Sequence, residues 1–244
     1  MYQQFKPHPL LREYIDAYWA VTNTSGAVAH SRILPDGCVD IICNLGAAVT
    51  NNAGEGPRML ASEKAYLIGT MTRYTDSCPP AEARMIGIRF KPAAFASFFR
   101  FPLQELADNC VEFGQELVEL LLCAGHDFVP VLDKYFLLHN TRASREMLPV
   151  INSIQQHKGI IRISDLARAH YQTPRQLERN FLKHTGISPK AFANIVRYQA
   201  VHQHIRNSKP GTSLLQIAFE HGYYDHAHLT NDIRKYTGRV PSAL

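Results

Sequence analysis

The chain has no run approaching the roughly 20 apolar residues that a membrane-spanning helix needs. Its first residues, Met1-Tyr2-Gln3-Gln4-Phe5-Lys6-Pro7, lack the apolar core of a secretory signal. A cytoplasmic protein is expected. Cysteine is sparse and odd in number: Cys38, Cys43, Cys78, Cys110 and Cys123 show no disulfide-framework spacing, so reduced thiols are the default. Cys38 and Cys43 fall on opposite faces of a strand, and no nearby His or Cys pair completes a tetrahedral set. His202 with His204, and His226 with His228, stand two apart and diverge by about 200° on a helix. No metal and no cofactor are therefore expected. Phosphate-cradling Gly-rich loops, Gly-x-Ser-x-Gly and His-Glu-x-x-His are all missing. Asp36, Asp40 and Glu82 could supply acid and base, but nothing fixes them together, so no enzyme is expected.

Charge is present but unevenly placed. Residues 141–244 hold 15 Lys+Arg against 6 Asp+Glu, a net of +9, whereas residues 1–140 hold 11 against 15, a net of −4. A generic basic protein would spread its charge. Concentration in one half points to a polyanion partner for that half.

The basic half contains one unit twice. Lys183-His184-Thr185-Gly186-Ile187-Ser188-Pro189 recurs 52 residues later as Lys235-Tyr236-Thr237-Gly238-Arg239-Val240-Pro241, and Leu177 and Phe181 recur as Leu229 and Ile233. Upstream the offset is 51, with Leu166-Ala167 matching Ile217-Ala218, so one residue is inserted in the turn between two helices. In the first copy Ser164 can cap a helix over 165–171, with Ala167 where two helices approach. Thr173-Pro174-Arg175-Gln176 then reads as a capping box with Pro at the first helical position, and Gly186 and Pro189 end the helix. Leu177 and Phe181 point inward, while Arg175, Glu178 and Arg179 share an outward face. On a lone helix that face would be merely solvated; arginine forks for guanine and a carboxylate for cytosine also suit the major groove. In the second copy a helix over 213–221 ends at Gly222, and Asp225 caps a helix from His226 that turns His226, Ala227, Thr230 and Asn231 outward. Asp232, acidic beside phosphates, is expected to pair with Arg234 or Lys235 or to point along the protein. Residues 189–206 read as one long linker helix. Two readers joined by a rod can enter successive major grooves about 34 Å apart.

Residues 160–241 resemble the DNA-binding domain of the AraC family of bacterial transcription regulators, through the paired helix-turn-helix motifs, the linker helix, Gly186-Ile187-Ser188-Pro189, and Ile217-Ala218 through Gly222-Tyr223. The resemblance implies base reading by Arg175, Glu178 and Arg179 and by His226, Ala227 and Thr230, and RNA polymerase as a partner. With Thr173, Gln176, Lys183, Asp225 and Asn231 these make up the expected contacts to double-stranded DNA. Ile233 stands where the family usually has an aromatic residue.

The first half alternates short apolar runs, Tyr18–Val21, Val39–Leu45, Ala65–Met71 and Met85–Phe90, with turns at Asp36-Gly37, Asn44–Gly46 and Asn51–Gly54. This suggests a small antiparallel barrel or sandwich. Helices are expected over 93–99, 114–123 and 128–139. The apolar load at Leu117, Leu120, Leu121, Val131, Leu132, Tyr135, Phe136 and Leu138 exceeds one helix face; it either packs on the barrel or forms a homodimer surface. Tyr18-Trp19, Ile33–Gly37 with Val39–Ile42, and Gly87–Pro92 resemble the N-terminal domain of a subset of AraC-like regulators, which implies a cupin-like barrel that binds a small effector or dimerises. Trp19, Arg32, Tyr66, Arg73 and Arg89 are its candidate pocket residues. The expected architecture is α+β and multidomain: a regulatory domain over 1–140, a cupin-like antiparallel β-barrel with appended helices, and an all-α DNA-binding domain over 141–244, divided near residues 140–146. A sequence-specific transcription regulator controlled by an effector or by self-association follows. The alternative is an enzyme or sugar-binding barrel fused to a DNA-binding module.

Overall fold

The computed structural model describes residues 1–23, 30–53, 56–141, 146–208 and 211–244. Its ten strands are β1 (Tyr2–Phe5), β2 (Ile15–Thr22), β3 (Ser31–Ile33), β4 (Val39–Asn44), β5 (Val49–Ala53), β6 (Gly56–Leu60), β7 (Lys64–Ile68), β8 (Thr75–Ser77), β9 (Arg84–Phe90) and β10 (Cys110–Phe113). They form two antiparallel sheets, ordered β1-β2-β9-β4-β7-β10 and β3-β8-β5-β6. No strand ladder joins the sheets among the described residues, so the barrel expected from the sequence is instead an open double sheet. Each sheet ends in short edge strands of three to five residues, which leave little backbone on which closure could propagate.

Alternation along the central strands builds two different faces. Tyr18, Ile41, Cys43, Ile86, Ile88 and Phe90 face a core shared with two helices, α1 (Glu116–Ala124) and α2 (Phe128–His139). Trp19, Ile42 and Met85 belong to a second cluster on the opposite face, toward the four-stranded sheet. Gly87 sits there because a Cβ would fall 1.9 Å from the Trp19 ring. Leu117, Leu121, Leu132, Tyr135 and Phe136 are buried in the first core; most of the apolar excess thus packs on the sheet, while Leu138 remains 74% exposed.

Three local expectations are corrected. Asn51–Ala53 extends β5 instead of turning, because it pairs with β6; Gly54 lies outside the described residues, as do 142–145 of the expected domain boundary. The helix expected over 93–99 is a single 3-10 turn, Ala94–Ser97, entered through Ala93 in the left-handed region at φ 64°. Ser164 is not a cap, since α4 (Ile163–Ala169) starts earlier with Arg162 at its N-cap and no side-chain hydrogen bond there.

The remaining helices are α3 (Leu148–Gln156), α5 (Pro174–Thr185), α6 (Pro189–Asn207), α7 (Leu214–Glu220) and α8 (His226–Thr237). They share one apolar core, in which Leu177 and Phe181 of the first copy and Leu229, Ile233 and Tyr236 of the second meet Phe192, Ile195, Tyr198 and Val201 of α6. Ala93 of the N-terminal half is buried in that same core. Among the described residues no helix is long and apolar enough to cross a membrane.

Candidate nucleic-acid interface and effector cavity

The first recognition helix, α5, starts on the capping box that its sequence announces. The Thr173 hydroxyl accepts from the Gln176 backbone amide at 3.2 Å, and the Gln176 side-chain oxygen Oε1 accepts from the Thr173 backbone amide at 2.9 Å. Thr173 and Gln176 therefore set the helix start. Leu177 and Phe181 are fully buried, which turns Arg175, Glu178 and Arg179 to solvent, with Lys183 also exposed. None of these four makes an ion pair or side-chain hydrogen bond among the described residues. Uncommitted guanidinium groups on one helix face are what a groove-reading surface requires.

In α8 the Asp225 carboxylate accepts from the His228 amide at 2.7 Å and so caps the helix. His226, Ala227 and Asn231 are exposed. The Thr230 hydroxyl donates to the His226 carbonyl at 2.7 Å, an i−4 bond that occupies its proton. Asp232 pairs with neither Arg234 nor Lys235; it binds Arg197 of α6 at 3.2 Å, and that guanidinium lies over the Tyr223 ring at 4.1 Å. The acid points along the protein and ties α8 to the linker helix α6.

Two exposed aromatics escaped the sequence reading. Tyr171 is 99% exposed and Tyr224 is 86% exposed, each in the turn before a recognition helix. Tyr171 holds φ 53° where the second copy has Gly222 at φ 70°. A tyrosine kept in a conformation costing about 1 kcal/mol beside the reading face joins the candidate DNA contacts. Its signal was the 51-residue offset that places Tyr171 opposite a glycine.

The same offset relates another pair of contacts. Ser153 of α3 bonds His170 Nε2 at 2.9 Å, and its counterpart His204 of α6 places Nδ1 3.0 Å from His221 Nε2. His221 is buried, and its Nδ1 has no partner among the described residues. Burial first, then the neighbouring His204 and Lys158, hold its pKa below the ordinary value. The unfolded chain therefore takes up this proton before the folded chain does, and stability is lost as pH falls through the unfolded value near 6.5. Between pH 7 and pH 5, urea unfolding should show stability dropping by at most about 1.4 kcal/mol per pH unit from this group. His221→Gln should flatten that slope; an unchanged slope would remove His221 as its source.

In the N-terminal half a cavity of about 640 Å³ opens between the sheets. Its apolar wall includes Trp19, Ile42, Leu60, Ile68 and Met85. Of the candidate pocket residues, Trp19, Arg32, Arg73 and Arg89 line it. Tyr66 does not: it packs in the wall behind, where its hydroxyl accepts from the Ala61 amide at 2.9 Å. Arg89 is not a free cation either. Its Nε lies 3.3 Å from Asp40 and 3.5 Å from Asp36, and the Trp19 indole N–H donates to Asp40 at 2.8 Å. Arg73 is exposed and has no ion pair among the described residues.

Two family models match the chain. Residues 3–112 match a domain of unknown function (DUF6597), and residues 166–244 match a helix-turn-helix domain. Among solved structures the chain is similar to ToxT from Vibrio cholerae, at 8% identity over 99% of this chain and 97% of that chain, with a TM-score of 0.50. An AraC-type DNA-binding regulator from Chromobacterium violaceum is 19% identical over 43% of this chain and 92% of that chain (TM-score 0.39). A probable AraC family transcriptional regulator from Rhodopseudomonas palustris is 27% identical over 41% of this chain and 94% of that chain (TM-score 0.38). No curated protein sequence matches. The helix-turn-helix domain marks the chain as a DNA-binding transcription regulator. The helix-turn-helix domain at its C-terminal end is of the AraC type.

Proposed function

We propose that this regulator reads two successive major grooves, α5 with Arg175, Glu178 and Arg179 and α8 with His226, Ala227, Thr230 and Asn231. Lys183 and the two turn tyrosines add contacts to backbone or sugar. One observation carries this reading: both recognition helices are built on a single core around α6, with their outward faces exposed. A 19-residue α6 spans about 28 Å, a length on the scale of one helical turn of DNA.

Residues 1–140 act as the sensing half. The cavity has the size and the apolar lining, broken by a few polar groups, that suit a small-molecule effector.

The test of reading is Arg179→Ala. Loss of a bidentate guanine contact should cost about 1–3 kcal/mol on a duplex selected by the wild-type chain and relax base preference in one half-site. Equal weakening on selected and random duplexes would show that Arg179 touches only phosphate.

A further inference from the structure

The two recognition helices end alike. Thr185 and Thr237 occupy the same position in the two copies. Each hydroxyl donates to the carbonyl four residues back, at 2.9 Å to Phe181 and 2.7 Å to Ile233, and each is followed by a left-handed glycine. Helix C-terminal carbonyls carry partial negative charge and need donors. In both copies the N-terminal half supplies one, and to the same carbonyl. Thr70 Oγ1 donates to the Thr185 carbonyl at 2.6 Å, and Arg32 Nη1 donates to the Thr237 carbonyl at 2.8 Å. Both glycines are abutted as well. A Cβ on Gly186 would lie 2.6 Å from the Leu103 carbonyl oxygen, and one on Gly238 would lie 2.7 Å from Arg32 Nη1 and from Tyr74 Cζ.

The two contacts differ in who can reach them. Thr70 is 1% exposed and does not line the cavity. Arg32 lines the cavity, its side chain is 29% exposed, and its remaining nitrogens hold Asp76 at 2.7 and 2.8 Å while its guanidinium lies 4.2 Å from the centre of the Tyr74 ring. A buried neutral hydrogen bond is indifferent to salt and to ligand. An exposed guanidinium in the cavity wall is sensitive to both.

We propose that the sensing half latches the two recognition helices unequally: Thr70 holds α5 permanently, and Arg32 is the releasable contact through which occupancy of the cavity reaches α8 alone. An occupant that draws the guanidinium away from the Thr237 carbonyl loosens the C-terminal turn of α8 and leaves α5 in place. The last step rests on the effector reading of the cavity. The latch itself does not, and the test needs no ligand.

Hydrogen–deuterium exchange on the full chain compares segment 233–244 with segment 181–190. Arg32→Gln should speed exchange in 233–244 by about three- to tenfold, the scale of losing one charged hydrogen bond that is partly solvated, and leave 181–190 unchanged. Thr70→Val should do the reverse. Arg32→Lys, which keeps the charge, should fall between Arg32→Gln and wild type, and 0.5 M salt on the wild-type chain should reproduce Arg32→Gln. Unchanged exchange in 233–244 for Arg32→Gln, or equal acceleration of both segments by either variant, would overturn the proposal. Hydroxyl-radical footprints on a selected duplex give an independent reading. Arg32→Gln should weaken protection only in the half-site that Asn231→Ala identifies as belonging to α8; equal weakening in both halves counts against the latch. Failure of every small molecule to bind the cavity would reject the effector reading and leave these outcomes as they are.

Discussion

Raising salt from 50 to 200 mM should weaken the complex of the full chain with duplex DNA by about 10³–10⁵-fold, if 6–10 phosphates are engaged. The expectation follows from the net charge of +9 on residues 141–244 and from the exposed cations flanking both reading faces, Arg175, Arg179 and Lys183 on α5 and Arg234 and Lys235 on α8. Each phosphate neutralised releases condensed counterions, so the logarithm of the affinity falls linearly with the logarithm of salt. The slope counts contacts without any knowledge of the operator. Fluorescence anisotropy on one duplex across a salt series suffices. A slope implying only one or two phosphates would mean that a single reader touches DNA, and would reject the two-groove reading.

The second large effect concerns the cavity wall. Arg89→Met should destabilise the chain by about 3–5 kcal/mol, because it strands the carboxylate of Asp40 in a mostly buried site beside Asp36. Burial raises the Asp40 pKa even with the guanidinium present, and removing that cation raises it further. The sign follows from linkage: the folded state then keeps a proton that the unfolded state releases near pH 4, so stability falls as pH rises from there through the folded value. The deficit should therefore be large at pH 7 and shrink toward pH 4. Asp40→Asn in the same background should recover much of it, since the amide can still accept from the Trp19 indole. Urea unfolding decides the matter, and a loss under about 1 kcal/mol at pH 7 would show that water already compensates the carboxylate.

The DNA-binding half was legible because its signals are local. Thr173 and Gln176 declare a capping box within four residues, Gly186 and Gly238 mark left-handed stops, and Leu177 with Phe181 fixes which face of α5 is wet. The copy at 51–52 residues then turned a charged face into a candidate reader. In the N-terminal half, Trp19 and Arg89 were grouped as candidate pocket residues on chemistry alone, an aromatic wall with a few polar groups, and both line the cavity between the sheets. Sheet closure could not be read. It depends on whether strands far apart in sequence pair at their edges, and three- to five-residue strands such as β1 and β3 carry almost no pattern. Tyr66 was misplaced for a related reason: period two gives its side of the sheet, but not whether its ring meets the cavity or the wall behind. The contacts between halves left no trace either, because Thr70 and Arg32 bind backbone carbonyls, and a carbonyl is present at every residue.

On the two-groove reading, the continuous α6 between α5 and α8 works as a ruler with a coarse scale. Each added residue would advance the second unit by about 1.5 Å and turn it by about 100°, whereas each added base pair advances DNA by about 3.4 Å and turns it by about 34°. No single insertion in the helix can match a single insertion in the operator. Seven residues restore the helix phase to within about 20° and add about 10.5 Å, close to three base pairs, but three base pairs turn the DNA by about 100° and so break the match. On the two-groove reading, half-site spacing is thus fixed against small drift in protein or DNA. Relatives that kept a helix of this length would be expected to differ in the bases they prefer and to agree in the distance between them.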